Sequence, residues 1–293
     1  MLHISDAATL RATLRATLRG WRAAGERVAL VPTMGNIHEG HLRLVDAARA
    51  QAARVVVSVF VNPTQFDRAD DFERYPRTLE ADAWALASRG ADLLFTPDVE
   101  TLYPHGLDLA AYVEPTHSAQ PLEGEFRPGH FRGMATVVTK LLNLVQPDCA
   151  VFGEKDYQQL AVVRALVREL LLPVEIIGLA TVREADGVAM SSRNQYLTPA
   201  ERALAPRLYQ ALLAAAGEGA AADAPLPAIE AYHTAALNDA GFRVEYFRFR
   251  NAQLAPPATA DGRRVVLTAA WLGKARLIDN HPFDVARGQG TPG

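Results

Sequence analysis

The chain has 293 residues, enough for one large domain or two ordinary ones, and its 49% hydrophobic content is ample for a sizeable core. Thirty Lys+Arg against 33 Asp+Glu give a net charge of -3, with the basic residues scattered rather than gathered into a stripe, so no nucleic-acid partner is expected. One cysteine, Cys149, excludes an intramolecular disulfide, and the polar, arginine-bearing start fits neither a signal peptide nor a membrane span, so a cytoplasmic protein with no membrane partner is the expectation.

In chain order, the "ATLR" duplication at 12 to 19 predicts a helix with one arginine-bearing face. Apolar runs of strand length follow: "VALVP" at 28 to 32, "VVVSVFV" at 55 to 61, "DLLF" at 92 to 95, "CAVFG" at 149 to 153 and "VEIIG" at 174 to 178. Stretches of helical period lie at about 40 to 53, 77 to 89, 134 to 145 and 156 to 171. Continuous hydrophobicity means strands covered on both faces, and strands alternating with helices predict a doubly wound parallel α/β sheet. Cys149, inside an apolar run, reads as a buried residue rather than a nucleophile.

From about residue 186 the texture changes. Thr198, Pro199 and Glu201 form a helix-start signal, an alanine-rich segment follows, and "FRVEYFRFR" and "RRVVLTAAWL" alternate as exposed antiparallel strands do. The expected organisation is therefore a first domain over 1–185, a smaller α+β domain over 186–284 and a disordered tail over 285–293.

In doubly wound sheets ligands bind beyond the carboxyl ends of the strands, so the residues that follow each run come first. The first run is followed by Pro32, Thr33, Met34 and Gly35, and then by His38 and His41 around Gly40 at a helix start. A helix N-terminus offers unpaired N–H groups to phosphate, and imidazoles beside it can donate to phosphate oxygens. Capping of the helix and metal ligation remain alternative readings of this spacing. The second run leads to Asn62 and Gln65. Arg127, His130 and Arg132 precede an apolar helix in which Val137 and Val138 either wall a pocket or pack in the core. Lys155 and Gln159 lie four apart on one helix face, and Lys155 suits phosphate as a point charge. Beyond an Asp186-Gly187 turn, "MSSRN" at 190 to 194 has the composition of a phosphate clamp or of an ordinary turn.

Read together, "VALVPTMGNIHEGHLRLV", "VVSVFVNPTQF", "YPRTLEAD", "LEGEFRPGHFRGMATVVTKLLNLVQPD", "FGEKDYQQL", "MSSRNQYLT" and "AAWLGKARLIDN" resemble the pantoate-beta-alanine ligase family in order and spacing, over residues 1 to about 283. The resemblance implies a Rossmann-like domain for ATP and pantoate, an α+β C-terminal lid and a homodimer. It implies ATP-dependent condensation of (R)-pantoate with beta-alanine to pantothenate, AMP and diphosphate through a pantoyl adenylate, with Mg²⁺. By the same resemblance, Met34, Gly35, Asn36, Ile37, His38, Glu39, Gly40 and His41 would line the ATP site. Gly153, Glu154, Lys155, Asp156, Val182, Met190, Ser191, Ser192 and Arg193 would complete it. His41 would be the proton donor, with His38 and Lys155 also catalytic. Gln65, Gln159, Pro32, Met34, Val137 and Val138 would hold pantoate, and Gln65 would also place beta-alanine. Departures are small: Gln195 stands where glycine is frequent, and the alanine-rich stretch near 211 to 228 lies outside the motifs. Asp82 and Asp156 are candidate magnesium ligands. An adenylyltransferase acting on a phosphate-bearing acceptor would want further cationic residues, and a non-catalytic nucleotide sensor would be expected to lack members of the phosphate cluster.

Overall fold

The computed structural model describes residues 1–5, 7–66, 69–108, 110–115 and 117–286. The chain divides into two compact units, Met1–Glu154 with Gln158–Thr181, and Lys155–Tyr157 with the chain from Val182 on.

The first unit is built on a parallel sheet of β1 (Leu2–Ile4), β2 (Val28–Thr33), β3 (Arg54–Val59), β4 (Leu93–Phe95), β5 (Cys149–Gly153) and β6 (Glu175–Leu179), in the order β1-β4-β3-β2-β5-β6. Successive side chains of a strand point to opposite faces, and both faces are apolar here. Val28, Leu30, Val56, Leu93 and Phe95 pack with helices α1 (Ala7–Ala23), α4 (His130–Val145) and α5 (Tyr157–Glu169). Ala29, Val31, Val55, Val57 and Leu94 pack with α2 (Glu39–Gln51) and α3 (Leu79–Ser88). Burial on both sides is why these strands read as unbroken apolar runs.

Two features of this unit escape the sequence pattern. The edge strand β1 has only three residues, paired from Leu2↔Leu93 to Ile4↔Phe95, too few to show a period. Helix α4 starts at His130, before its apolar run, because Gly129 turns the chain with φ +81° immediately ahead of it.

Cys149 is fully buried, and burial pushes its thiol pKa up. Native protein is expected to resist a thiol reagent such as DTNB at neutral pH and to react with one equivalent once unfolded in guanidinium.

The second unit holds an antiparallel sheet, β7 (Arg243–Asn251), β8 (Arg263–Leu272) and β9 (Ala275–Asp284), in the order β7-β8-β9. Helices α6 (Pro206–Glu218) and α7 (Leu226–Asp239) belong to its core, where Leu208, Leu212 and Leu237 meet Phe247, Phe249 and Val266. The expectation of exposed strands fails for β8. It is the central strand, and Val265, Leu267 and Ala269 are as buried as Val266 and Ala270 on the opposite face. The helix-start signal is present as a capping box: Thr198 Oγ1 accepts from Glu201 N at 3.3 Å, and Glu201 Oε2 accepts from Thr198 N at 2.8 Å. Of the expected tail, Val285 and Ala286 are held by Gly262 and Ala220, while 287–293 lie outside the described residues. No described helix is long and apolar enough to cross a membrane.

Candidate active site

Strand β2 has β3 on one side and β5 on the other, with Ala29 opposite Cys149 and Leu30 opposite Ala150. The strand order reverses between them, so the crevice beyond their carboxyl ends is the topological switch point. From β2 the chain enters a loop in which Gly35 has φ +84° and Asn36 φ +52°. A Cβ on Gly35 would lie 3.0 Å from both Asp82 Oδ2 and Val59 Cγ1, so glycine is required by space as well as by φ. Asp82, on α3 and 2% exposed, holds this loop. It accepts from Asn36 N at 2.9 Å, Ile37 N at 2.8 Å and the Thr78 hydroxyl at 3.0 Å. That carboxylate therefore organises the loop and is poorly placed to bind a metal, contrary to its candidacy as a magnesium ligand.

Removing the acceptor leaves two part-buried amides unpaired, at up to about 1–3 kcal/mol each. Asp82→Ala is expected to lower the urea midpoint of unfolding and to raise the KM for ATP, with Asp82→Asn milder because it keeps one acceptor oxygen. An unchanged midpoint and KM would show that the loop holds without it.

His38 is the N-cap residue of α2 and His41 stands three residues in. Their rings stack with centroids 4.0 Å apart and planes inclined at 30°. His41 Nδ1 accepts from His38 N at 3.4 Å, so neutral His41 carries its proton on Nε2, as a donor. The spacing thus does serve capping. The Glu39 carboxylate is bound by Arg89 at 2.6 Å and 2.7 Å.

Gln65, 8% exposed, ends a short turn after β3. Its Nε2 donates to Met34 Sδ at 3.0 Å and its Oε1 accepts from Asn62 Nδ2 at 3.1 Å. The turn itself is pinned at the Gln65 carbonyl, which accepts from Arg127 at 3.2 Å and lies 2.8 Å from His130 Nδ1. Asn62 is the anchor: its amide nitrogen also reaches Gly133 O at 3.2 Å, and its Oδ1 accepts from Tyr103 OH at 2.9 Å and Thr64 Oγ1 at 3.0 Å. Burial pushes the Tyr103 phenol pKa up, which keeps that proton in place. Gly133 permits the contact, since a methyl there would overlap the Thr64 carbonyl. Val137 and Val138, 6% and 5% exposed, belong to the packed core under α4.

Two adjacent glutamines at the start of α5 differ in use. Gln158 is buried and ties down the preceding loop, accepting from Glu123 N at 3.0 Å and donating to Ser118 O at 3.0 Å and Pro121 O at 2.6 Å. Gln159 is half-buried and makes no side-chain hydrogen bond among the described residues, so its amide remains available.

In the second unit Lys155 lies in the turn Glu154–Asp156, with its side chain 19% exposed and Nζ 3.7 Å from Asp156 Oδ1. Val182 and Met190 are paired across a hairpin, Met190 N to Val182 O at 3.0 Å, whose tip is the expected turn with Gly187 at φ +93°. Ser191 caps the turn Ser192–Tyr196, its hydroxyl accepting from Arg193 N at 3.2 Å. Lys155, Ser191, Asn194 and Asp279 line one cavity of about 20 Å³. The structure thus brings Lys155 beside Ser191 of the "MSSRN" segment, 36 positions on in sequence. Among the described residues no three His, Cys, Asp or Glu side chains are grouped to hold a metal.

The sequence profile of the pantoate-beta-alanine ligase family matches residues 6–282. The chain belongs to that family of enzymes. Pantothenate synthetase from Thioalkalivibrio sulfidiphilus is 54% identical over 90% of this chain and 93% of its own length, and that from Aeromonas hydrophila is 51% identical over 98% and 100%. The crystal structure of the Thermus thermophilus pantothenate synthetase is 46% identical, covers 96% of this chain and 99% of its own, and superposes with a TM-score of 0.85. A Francisella tularensis pantoate-beta-alanine ligase, described as complexed with beta-gamma ATP and beta-alanine, is 33% identical over 96% and 97%, with a TM-score of 0.79. As a member of this ligase family the chain has the expected fold class, a Rossmann-like parallel sheet followed by a smaller α+β region.

Proposed function

We propose that the chain condenses (R)-pantoate with beta-alanine in two ATP-dependent steps. The observation that carries this reading lies within one sheet edge: the acid-binding amide of Gln65 is bonded to Met34, in the loop that leads to the stacked histidines and the N-terminus of α2. A carboxylate does not acylate an amine directly, because the leaving group would be oxide, so a phosphorus electrophile has to come first.

In the first step a pantoate carboxylate oxygen attacks the α-phosphorus of ATP, the bond to the β-phosphate oxygen breaks, and diphosphate leaves. His41 Nε2–H, His38, Lys155 and the α2 amides act on the charge that builds on the phosphoryl oxygens. Ser191, Ser192 and Arg193 supply further donors, with Met34 to His41, Gly153 to Asp156, Val182 and Met190 completing the ATP site. Gln65 and Gln159 hold pantoate, alongside Pro32, Met34, Val137 and Val138. In the second step the neutral amine of beta-alanine, placed by Gln65, attacks the acyl carbon. The C–O bond breaks, AMP leaves with that oxygen, and the nitrogen gives up a proton. Magnesium enters this reading as part of the MgATP substrate, and Asp156, 3.7 Å from Lys155 Nζ, is the remaining carboxylate candidate beside it. A homodimer and a cytoplasmic location complete the reading and rest on the family.

Exchange of labelled diphosphate into ATP tests it. Exchange is expected with pantoate alone, before any beta-alanine is added. Exchange without pantoate would point to another acceptor, and none under any condition would remove adenylation from the scheme.

A further inference from the structure

Strand β9 carries an Asp-Asn pair buried to an extent that sheet formation does not require: Asp279 is 4% exposed and Asn280 3%. Both sit in ladder register with β8, Asp279 opposite Thr268 and Asn280 opposite Leu267, and consecutive strand residues face opposite sides of the sheet. On one side the Asp279 carboxylate takes both nitrogens of Arg183, at 2.7 Å and 2.9 Å. The Arg183 guanidinium also donates to Gly187 O at 3.0 Å and lies 3.4 Å from the Tyr209 ring centroid. Arg183 is bridged to Ala189 across the hairpin, so this fork fixes the strand that runs directly into Met190, Ser191, Ser192 and Arg193. On the other side Asn280 Nδ2 donates to the main-chain carbonyl of Lys155 at 3.0 Å. That bond crosses 125 positions of sequence and ties the isolated segment Lys155–Tyr157 to the second unit.

We propose that Asp279 and Asn280 are positioning residues for adenylation: Asn280 sets the Lys155 main chain and hence the reach of its ammonium, while Asp279, through Arg183, sets the serine-bearing segment. In this reading each acts through the residue that it holds, Lys155 or Arg183. The inference rests on Lys155 acting at the ATP phosphates. A buried charge is tolerated only when paired, and here the pairing partners are the supports of two proposed phosphate-binding segments. A displacement of about 1 Å at a group aimed at the transition state costs up to about 100-fold in rate.

The test is a double-mutant cycle in the full chain, read by pantoate-dependent diphosphate exchange. N280D keeps the shape of the side chain but removes the donor. It is expected to slow exchange about 10- to 100-fold, leave the KM for pantoate within about twofold, and add nothing further in a K155A background. N280A, which removes the donor without adding charge, is run in parallel and should behave in the same direction. Equal fold losses in both backgrounds, normal exchange in N280D, or failure of both variants to fold by circular dichroism would each overturn the inference. If K155A alone exchanges at the native rate, the assignment of Lys155 has failed, independently of Asn280.

Discussion

Replacing Lys155 with alanine is expected to slow the formation of pantoyl adenylate by about 100- to 1000-fold, the size of loss seen when one preorganised donor is removed from a charge-stabilising site. Among the described residues its ammonium has a partner only in Asp156 at 3.7 Å, a weak pairing that leaves the charge available to a phosphate. His41→Ala should lose a similar factor for a different reason. Its Nδ1 is turned to the His38 amide at 3.4 Å, which makes Nε2–H the donor, and alanine removes that donor together with the stacked partner of His38. Single-turnover quenching, with the adenylate quantified before beta-alanine is added, separates this step from the second. Normal adenylate formation in both variants would refute the assigned roles.

The second large effect is expected on the acid. Gln65→Ala should raise the KM for pantoate about 10- to 100-fold and leave the KM for ATP nearly unchanged, since a hydrogen bond to a charged group contributes about 1.5–3 kcal/mol. One N–H of Gln65 faces only a thioether, Met34 Sδ at 3.0 Å, a weak acceptor that a substrate oxygen can replace with gain. The side chain is also preset by Asn62, which is itself held by Tyr103, Thr64 and Gly133. Asn62→Ala should therefore move the same parameter in the same direction by a smaller factor. Steady-state kinetics with pantoate and ATP varied separately decide the matter, and an ATP-only effect in Gln65→Ala would contradict the assignment.

The parallel sheet was legible because its strands are buried on both faces and so stand out as apolar runs between helical periods. The segments that escaped lacked that contrast: β1 is three residues long, and β9 carries buried Asp279 and Asn280 where a strand pattern calls for apolar residues. The candidate site is read from residue types at strand ends, whereas the groups that support it are not. Nothing in the run containing Asp82 announces that its carboxylate binds the amides of Asn36 and Ile37, 46 and 45 positions away. Likewise the pair Gln158-Gln159 is symmetrical as letters. Only the helix phase separates the buried one that ties down Glu123 and Pro121 from its half-buried neighbour.

The central claim is that activation passes through a bond between a pantoate oxygen and the α-phosphorus. Pantoate labelled with ¹⁸O in its carboxylate, turned over with ATP and beta-alanine, places that bond directly. The account predicts one labelled oxygen in the AMP phosphate, seen as an isotope shift in the ³¹P spectrum. Unlabelled AMP, or label recovered in inorganic phosphate, would contradict it.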